Sequence, residues 1–184
     1  MRLRIVGGEL GGRRIRAPNG RRTRPTREAV REAWFSALGP RIAGARVLDL
    51  FAGSGALGIE ALSRGAAWVD FVEGDRRTAA LLRRNLAELG LVERSHTSCR
   101  EVFAFLDNIV GEGAYDVALA DPPYGTGDTE RLVERFRRAP FAALLCVEHA
   151  SESLREAMPD WHRRYGDTSL SFFSSGNGGS SGGA

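Results

Sequence analysis

Asp49-Leu50-Phe51-Ala52-Gly53-Ser54-Gly55-Ala56-Leu57-Gly58 is the stretch that decides the fold of this 184-residue chain. It follows a short apolar run at 47–50, typical of a buried strand, and leads into a helical pattern at 56–64. Its three glycines are spaced as GxGxxG, which lets the backbone approach a nucleotide cofactor at the N-terminus of a helix. Nicotinamide-binding folds also carry this spacing. The loop alone therefore predicts a nucleotide-binding α/β protein and leaves the cofactor open.

The rest of the sequence alternates short apolar runs with amphipathic segments. Strands are predicted at 47–50, 68–72, 94–98, 115–120 and 142–148. Helices are predicted at 56–64, 76–89, 102–109, 129–138 and 152–157. Repeated strand–helix units predict a mainly parallel sheet with helices on both faces. A last pair of strands at 161–165 and 168–173, turned at Gly166-Asp167, predicts a terminal antiparallel hairpin.

The N-terminal part has a different pattern. Two alternating segments at 3–6 and 13–16, separated by paired glycines, predict a β-hairpin. Thr26 is predicted to cap a helix that ends at Gly39-Pro40. The expected organisation is a basic hairpin and helix in the same domain as the core, then the core, then a tail: residues 1–45, 46–173 and 174–184. The tail contains only Ser, Gly, Asn and Ala, so it has nothing to bury and is expected to be disordered.

Positive charge is concentrated near the N-terminus. The first 46 residues hold twelve arginines against three glutamates, whereas acids are in excess in the remainder, and the formal net charge is +3. Such a segment is typical of a surface that binds nucleic-acid phosphates, and a solvated charged face is the alternative. The residues expected to contact RNA are Arg13, Arg14, Arg21, Arg22, Arg24 and Thr26.

Acidic residues beside the glycine loop favour one cofactor over another. A dinucleotide would bring a pyrophosphate next to Asp49, and the two negative charges would repel. S-adenosylmethionine has no phosphate and carries a cationic sulfonium and ammonium, so it suits this loop. Glu73 ends the second predicted strand and can accept hydrogen bonds from the ribose hydroxyls. The alternatives are that Asp49 braces the loop and that Glu73 is a turn residue. The expected cofactor contacts are Asp49, Phe51, Ala52, Gly53, Ser54, Gly55, Gly58 and Glu73.

A second motif, Asp121-Pro122-Pro123-Tyr124, follows the strand predicted at 115–120. Ligands of open α/β sheets bind at the carboxyl ends of the strands, so this turn is expected on the same edge as the glycine loop. Asp121 and the Pro122 carbonyl can accept the two N–H groups of a base amine, and Asp121 can take the proton lost on transfer. Tyr124 can stack on the base. The alternative is a proline-rich turn that only ends a strand.

Further segments accompany these two motifs. They are Glu60-Ala61-Leu62-Ser63-Arg64-Gly65-Ala66, Arg4-Ile5-Val6-Gly7-Gly8, Gly12-Arg13, Arg24-Pro25-Thr26 and Val30-Arg31-Glu32. Together with the glycine loop and Asp-Pro-Pro-Tyr, they resemble the RsmD family of bacterial 16S rRNA guanine-N2 methyltransferases, over about residues 1–173.

The resemblance implies a seven-stranded class I methyltransferase fold with S-adenosylmethionine as the methyl donor. It also implies methylation of a guanine exocyclic nitrogen in 16S rRNA, within the 30S subunit or an assembly intermediate. Members of the family commonly carry an Asp after the third core strand, near the cofactor adenine. Glu101 is the best match to that acid in this sequence.

Other functions stay open at the level of sequence. The same acceptors fit any planar base amine, so adenine-N6 methylation of DNA or RNA is the main alternative. A protein or small-molecule methyltransferase, a nicotinamide oxidoreductase and a non-enzymatic RNA-binding module are more distant ones. Nucleoside analysis of the product and binding of S-adenosylhomocysteine against NAD would separate these possibilities.

Several classes of site and location are not indicated. No apolar run approaches the ~20 residues of a membrane helix, and no signal peptide is recognisable, so a cytoplasmic protein without a membrane partner is expected. Cys99 and Cys146 have no CxxC spacing, which indicates neither a zinc site nor a disulfide. We expect no metal cofactor and a monomeric chain.

Overall fold

The computed structural model describes residues 1–18, 25–109, 113–154 and 157–176. Its strands are β1 (Arg2–Arg4), β2 (Arg14–Arg16), β3 (Arg46–Leu50), β4 (Trp68–Val72), β5 (Ser95–Ser98), β6 (Tyr115–Ala120), β7 (Ala142–Ala150), β8 (Trp161–Tyr165) and β9 (Thr168–Ser174). Its helices are α1 (Pro25–Leu38), α2 (Ala56–Ser63), α3 (Arg76–Leu89), α4 (Val102–Leu106) and α5 (Asp128–Arg138).

The central sheet has seven strands in the order β5-β4-β3-β6-β7-β9-β8. The strands from β5 to β7 are parallel, whereas β9 runs antiparallel to both β7 and β8. On β3, Leu50 pairs with Val72 of β4 and with Ala120 of β6. The carboxyl ends of these three strands therefore lie level at one edge of the sheet. The mainly parallel sheet and the terminal antiparallel hairpin agree with the sequence prediction.

Helices cover both faces of the sheet because its parallel strands are apolar on both sides. Val47 of β3 belongs to one hydrophobic cluster, with Trp34 of α1 and Leu82 of α3. Leu48 and Leu50 belong to a second cluster, which includes residues of α4 and α5. All five side chains have 0% exposure. Since burying each one stabilises the fold by about 1.5–3 kcal/mol, this alternation fixes the strand between the two helical layers.

Helix α3 shows how the local sequence sets the ends of an element. Asp75 precedes it, and the carboxylate accepts a hydrogen bond from the N–H of Thr78 at 2.8 Å. Gly90 follows it with a φ of 72°, in the left-handed region where glycine has no steric penalty. Leu82 and Leu86 are buried at helical spacing, so the apolar stripe of the helix faces the sheet.

The N-terminal hairpin, β1 paired antiparallel with β2, is held against the helices of the core by buried polar groups. Glu60 of α2 is 0% exposed and accepts the N–H groups of Val6 at 2.7 Å and Gly7 at 2.8 Å. Asn85 of α3 accepts from the N–H of Arg16 and donates to its carbonyl. These contacts place the hairpin beside the residues that follow β3.

Two helix predictions need correction. A helix is predicted at 152–157, but residues 151–154 form turns, and this prediction is wrong. Leu154 has a φ of 57°, a left-handed conformation that a right-handed helix cannot contain. The helix predicted at 102–109 ends at Leu106, because Asn108 and Ile109 donate to carbonyls three residues back and tighten the chain.

The ends of the chain differ slightly from their predictions. Helix α1 begins at Pro25, so Thr26 lies inside it rather than before it. Strand β9 extends to Ser174, the first residue of the predicted tail, because Ser174 pairs with Leu144 of β7. Residues 177–184 lie outside the described ones. In the described ranges, no helix has the length and apolar character needed to cross a bilayer.

Candidate active site

A cleft opens at the carboxyl ends of β3 and β6. Because Leu50 pairs with Ala120, the residues after these two strands leave the sheet side by side. The walls of the cleft come from the loop between β3 and α2, from the turn after β6, from β7, from the hairpin and from α1. They include Asp49, Phe51, Ala52, Ser54, Asp121, Glu148, Met1, Leu3, Ala17 and Arg31. The two sequence motifs therefore share one cleft.

The glycine loop, residues 51–58, packs too closely for larger side chains. A Cβ at Gly58 would lie 2.3 Å from the Phe71 ring and 2.9 Å from Asp49 Oδ2. A Cβ at Gly55, whose φ is 83°, would lie 2.3 Å from Leu82. These glycines let α2 begin directly against the sheet and bring its first backbone N–H groups to the cleft.

Asp49 braces this loop. The side chain is buried, and Oδ2 accepts the N–H of Gly58 at 2.9 Å. Burial raises the pKa of the Asp49 carboxyl well above its usual value, and the charges of Asp121 and Glu73 raise it further, against the opposing effect of the hydrogen bond. The bracing interpretation of Asp49 is thus seen directly, and the residue also faces the cleft.

Phe51 opens the loop in an unusual backbone conformation. Its φ is 55°, in the left-handed region that non-glycine residues rarely occupy. The ring lines the cleft and packs edge-on against Phe103 of α4, with centroids 6.3 Å apart. Strained conformations of this kind concentrate at ligand sites, where the surrounding structure enforces them.

Glu73 links the glycine loop to the end of β4. Oε2 accepts the N–H of Gly53 and Oε1 accepts the N–H of Asp75, each at 2.8 Å. A carboxylate offers about four lone-pair positions, so these two bonds leave acceptor capacity on both oxygens. Glu73 thus braces the turn, as the alternative interpretation has it, and it is absent from the described residues that line the cleft.

Glu101 has a mainly local role. The carboxylate caps α4 by accepting the N–H groups of Phe103 at 3.1 Å and Ala104 at 2.8 Å. Its Cα lies close to Gly74, where a Cβ would be 3.9 Å away, so the loops after β4 and β5 touch. Glu101 is absent from the described residues that line the cleft.

The Asp-Pro-Pro-Tyr turn forms the opposite wall. Pro122 is buried, and Tyr124 is 50% exposed. The Tyr124 hydroxyl donates to Glu148 Oε1 at 3.3 Å and pairs with Thr168 Oγ1 at 3.0 Å, which ties the ring to β7 and β9. Burial raises the pKa of Tyr124 to about 12, with a contribution from the negative charges of Glu148 and Asp121. The phenol is therefore neutral at physiological pH.

The basic residues predicted to contact RNA are only partly described. Arg14 is exposed on β2, and Arg13 is exposed beside α3, where Nη2 donates to the carbonyl of Glu88 at 3.2 Å. Neither lines the cleft. Arg21, Arg22 and Arg24, together with the side chain of Thr26, lie outside the described residues.

Comparison with known proteins assigns the family. A family model described as "conserved hypothetical protein 95" matches residues 3–174. Ribosomal RNA small subunit methyltransferase D of Escherichia coli strain K12 is 37% identical, over 85% of this chain and 79% of that protein. The protein of the same name from Buchnera aphidicola subsp. Acyrthosiphon pisum is 37% identical, over 72% of this chain and 68% of that protein.

The chain belongs to the RsmD family.

Solved structures agree with this assignment to RsmD. The Escherichia coli protein yhhF superposes with a TM-score of 0.81 at 32% identity, over 95% of this chain and 98% of that one. The Thermus thermophilus protein TTHA0928 superposes with a TM-score of 0.80 at 31% identity, over 94% of this chain and 99% of that one. Thermus thermophilus RsmC, a methyltransferase, superposes with a TM-score of 0.66 at 22% identity, over 95% of this chain and 49% of that one. At this identity the likeness is one of fold alone. The predicted class I methyltransferase fold is confirmed.

Within this RsmD chain, Glu148, residues of the N-terminal hairpin and the buried Arg31 line the cleft without having been predicted there from the sequence. Arg31 of α1 is 6% exposed and lines the cleft. In the sequence it stands out only as part of the segment Val30-Arg31-Glu32, which resembles the family. A signal was present: Trp34 and Leu38 follow it at i+3 and i+7, so Arg31 falls on the buried stripe of the helix. An arginine in such a stripe indicates a partner of opposite charge.

The donor set of the cleft fits S-adenosylmethionine. Asp49 and Asp121 place two carboxyl groups in the cleft, where they suit a sulfonium and an ammonium, and Ala56 and Leu57 bring the first turn of α2 to the same cleft. In the part of the chain that the structure describes, no group of three His, Cys, Asp or Glu residues could hold a metal ion. Cys99 and Cys146 are free thiols.

Proposed function

We propose that this member of the RsmD family transfers a methyl group from S-adenosylmethionine to the exocyclic N2 of a guanine in 16S ribosomal RNA. One observation carries the proposal: the glycine loop and Asp121 follow the paired residues Leu50 and Ala120 and line one cleft. A donor held by the loop and an amine held by Asp121 would face each other there. The curated relatives are named as methyltransferases of small-subunit ribosomal RNA, which supplies the substrate.

The cofactor brings a methyl group made electrophilic by the positive charge of the sulfonium. Asp49 faces that charge, and a cation at this position would oppose the burial that raises the pKa of its carboxyl. Glu73 keeps acceptor positions for the ribose hydroxyls. The remaining proposed contacts are those of the glycine loop: Phe51, Ala52, Gly53, Ser54, Gly55 and Gly58. The Glu101 carboxylate is engaged in capping α4, and we omit it from this set.

The base amine is held by the Asp-Pro-Pro-Tyr turn. The lone pair of an exocyclic amine is delocalised into the ring, so the amine needs positioning to become a nucleophile. Asp121 and the carbonyl of Pro122 accept its two N–H groups and align the nitrogen with the methyl group. Asp121 then takes the proton that the methylated nitrogen loses. Tyr124, whose hydroxyl is anchored to Glu148 and Thr168, presents a fixed ring on which an unstacked base can lie.

The basic N-terminal segment contacts the phosphates of the RNA around the target base. Arg13 and Arg14 are exposed on the hairpin, whose other end, at Met1 and Ala17, lines the cleft, so RNA phosphates would lie along the hairpin leading away from the target base. The proposed set is completed by Arg21, Arg22, Arg24 and Thr26. We propose that the chain acts as a cytoplasmic monomer on the 30S subunit or an assembly intermediate.

The product identifies the reaction. Small subunits that lack the modification are incubated with the protein and labelled S-adenosylmethionine, and their digested RNA is analysed by mass spectrometry for methylated nucleosides. The expected product is N2-methylguanosine at a single position. N6-methyladenosine would assign the chain to the alternative amine, and an unlabelled RNA would remove the proposed substrate.

A further inference from the structure

Arg31 is a buried cation in the wall of the cleft. It lies on α1 with 6% exposure, and its Nη2 donates to the backbone carbonyl of Arg4 at 2.6 Å. Its Nε is buried and has no hydrogen-bond partner among the described residues. Burying a guanidinium with an unused donor is unfavourable unless a ligand supplies the acceptor.

The acids around Arg31 are committed to other groups. Glu60 accepts the N–H groups of Val6 and Gly7 and pairs with Arg64 at 2.9 Å, while Glu28 pairs with Arg4 at 3.0 Å. The ion pairs formed among the described residues do not include Arg31. Burial lowers the pKa of Arg31, and the nearby negative charges of Glu60, Glu28 and Glu148 oppose that effect.

The charges of the cleft are arranged for a ligand that carries both signs. Asp121 and Glu148 contribute negative charge, Asp49 contributes a carboxyl group that a bound cation would favour as the carboxylate, and Arg31 contributes a buried positive charge to the same cavity. The amino-acid end of S-adenosylmethionine is such a ligand, with an ammonium and a carboxylate on one carbon. The ammonium and sulfonium suit the acids, which leaves the carboxylate for the guanidinium.

We infer that Arg31 binds the carboxylate of the methionine part of the cofactor. The planar fork of a guanidinium matches a carboxylate in a two-bond contact, and an arginine already oriented by one backbone bond loses little freedom on binding. The contact with the carbonyl of Arg4 supplies that orientation from β1. Cofactor binding is thereby connected to the hairpin. This inference rests on the proposed function, because it assumes S-adenosylmethionine as the ligand.

A pair of ligands tests the carboxylate contact directly. Decarboxylated S-adenosylmethionine keeps the adenosine, sulfonium and ammonium and lacks only the carboxylate. By titration calorimetry, the unmodified protein should bind S-adenosylmethionine about 10- to 100-fold more tightly than the decarboxylated compound, the range expected for a charged hydrogen-bonded contact. Arg31→Gln should weaken binding of S-adenosylmethionine by that factor and change binding of the decarboxylated compound less than about threefold. Arg31→Lys should recover part of the affinity.

A matched arginine serves as the control. Arg46 lies at the amino end of β3, away from the cleft, where it pairs with Asp70 at 3.4 Å. Arg46→Gln should leave the affinities for both ligands unchanged, and circular dichroism with thermal melting checks the fold of each variant. If Arg31→Gln does not fold, Arg31→Lys replaces it: a weaker preference for S-adenosylmethionine over the decarboxylated compound than in the unmodified protein supports the contact, and an unchanged preference overturns it.

The outcomes separate this inference from the proposed function. Equal affinity of the unmodified protein for the two ligands would overturn the carboxylate contact and leave the methyltransferase proposal standing. An equal loss of affinity for both ligands in Arg31→Gln would also overturn it, since the residue would then only support the cleft. A raised KM for the RNA with unchanged cofactor affinity would place Arg31 against the nucleic acid instead. No binding of S-adenosylmethionine at all would overturn both proposals.

Discussion

Leu50 and Ala120 are paired neighbours on the parallel strands β3 and β6, and each is the last residue of its strand. The chain turns out of the sheet at both points, toward the same cleft. One turn leads through the tight glycines into α2, and the other leads into two prolines and a tyrosine. This single register brings the proposed donor site and the proposed amine site together.

Asp121 is the proposed group that accepts from the amine and receives its proton. Asp121→Ala should lower the rate of methyl transfer by about 10²–10⁴-fold, because both the alignment and the acceptor are removed. The affinity for S-adenosylhomocysteine, measured by calorimetry, should stay within a few-fold. Asp116→Ala, at the opposite end of β6 and hydrogen-bonded to the N–H of Arg46, is the matched control and should keep its activity. Unchanged turnover in Asp121→Ala would remove this residue from the chemistry.

Arg13 and Arg14, the two arginines of the predicted RNA contacts that the structure describes, are expected to hold phosphates. Changing Arg13 and Arg14 together to Gln should weaken RNA binding and reduce the slope of log K against log salt by about 1 for each phosphate that is no longer neutralised. Arg138→Gln, an exposed arginine at the end of α5, should leave the slope unchanged. Identical salt slopes for the hairpin variant and the unmodified protein would mean that these residues do not bind phosphate.

Gly58 is required by packing. Gly58→Ala would place a methyl group 2.3 Å from the Phe71 ring, so we expect a loss of about 1–3 kcal/mol in the free energy of unfolding, measured by denaturant titration. Gly74→Ala meets only Arg100 and Glu101, at 3.7 Å and 3.9 Å, and should be nearly neutral. Equal stability of the two variants would show that the glycine loop can move away from the sheet.

Tyr124 gives a pH dependence with a definite sign. Burial raises its pKa from an ordinary value near 10 to about 12, so the neutral phenol is favoured in the folded protein. Its stabilising contribution is complete below about pH 10 and is lost as the pH rises toward 12. The free energy of unfolding should therefore fall less steeply between these values in Tyr124→Phe than in the unmodified protein. If the free energy of unfolding depends on pH in the same way in the two proteins, the Tyr124 hydroxyl has the pKa of a solvated phenol.

Glu60 anchors the hairpin through buried hydrogen bonds. Glu60→Gln removes the charge and one acceptor oxygen, so residues 2–16 should exchange their amide hydrogens at least tenfold faster, since hydrogen bonds to a charged group contribute about 1.5–3 kcal/mol. Glu88→Gln removes an exposed ion pair with Arg16 and should change exchange little. If the two variants exchange alike, the buried carboxylate does not secure the hairpin.

The spacing of apolar residues and the residues that cap or break helices and strands predict most of the fold. The bounds of β4, α3 and β6 follow from apolar spacing closed by local signals, such as Asp75 before α3 and Gly90 after it. The wrong helix at 152–157 has the composition of a helix, but the left-handed φ of Leu154 breaks it. Composition does not encode that conformation, which depends on how the chain joins β7 to β8.

The site was predictable only where one motif contains all the information. The glycine loop and the Asp-Pro-Pro-Tyr turn are each contiguous, and βα alternation places them on one edge. Glu60 and Arg31 act on groups far away in sequence: Glu60 holds the N–H of Val6, 54 residues away, and Arg31 holds the carbonyl of Arg4, 27 residues away. Such partners emerge only from the folded arrangement of the hairpin.

The central claim is that the methyl donor and the base amine meet in one cleft. A crystal structure with sinefungin, which carries an amine where the cofactor carries its methyl group, and with guanosine measures this directly. The account predicts that the sinefungin amine lies in contact with the guanine N2, at about 3–3.5 Å, with Asp121 bound to that nitrogen. Sinefungin bound away from the glycine loop, or guanosine bound away from Asp121, would contradict the account.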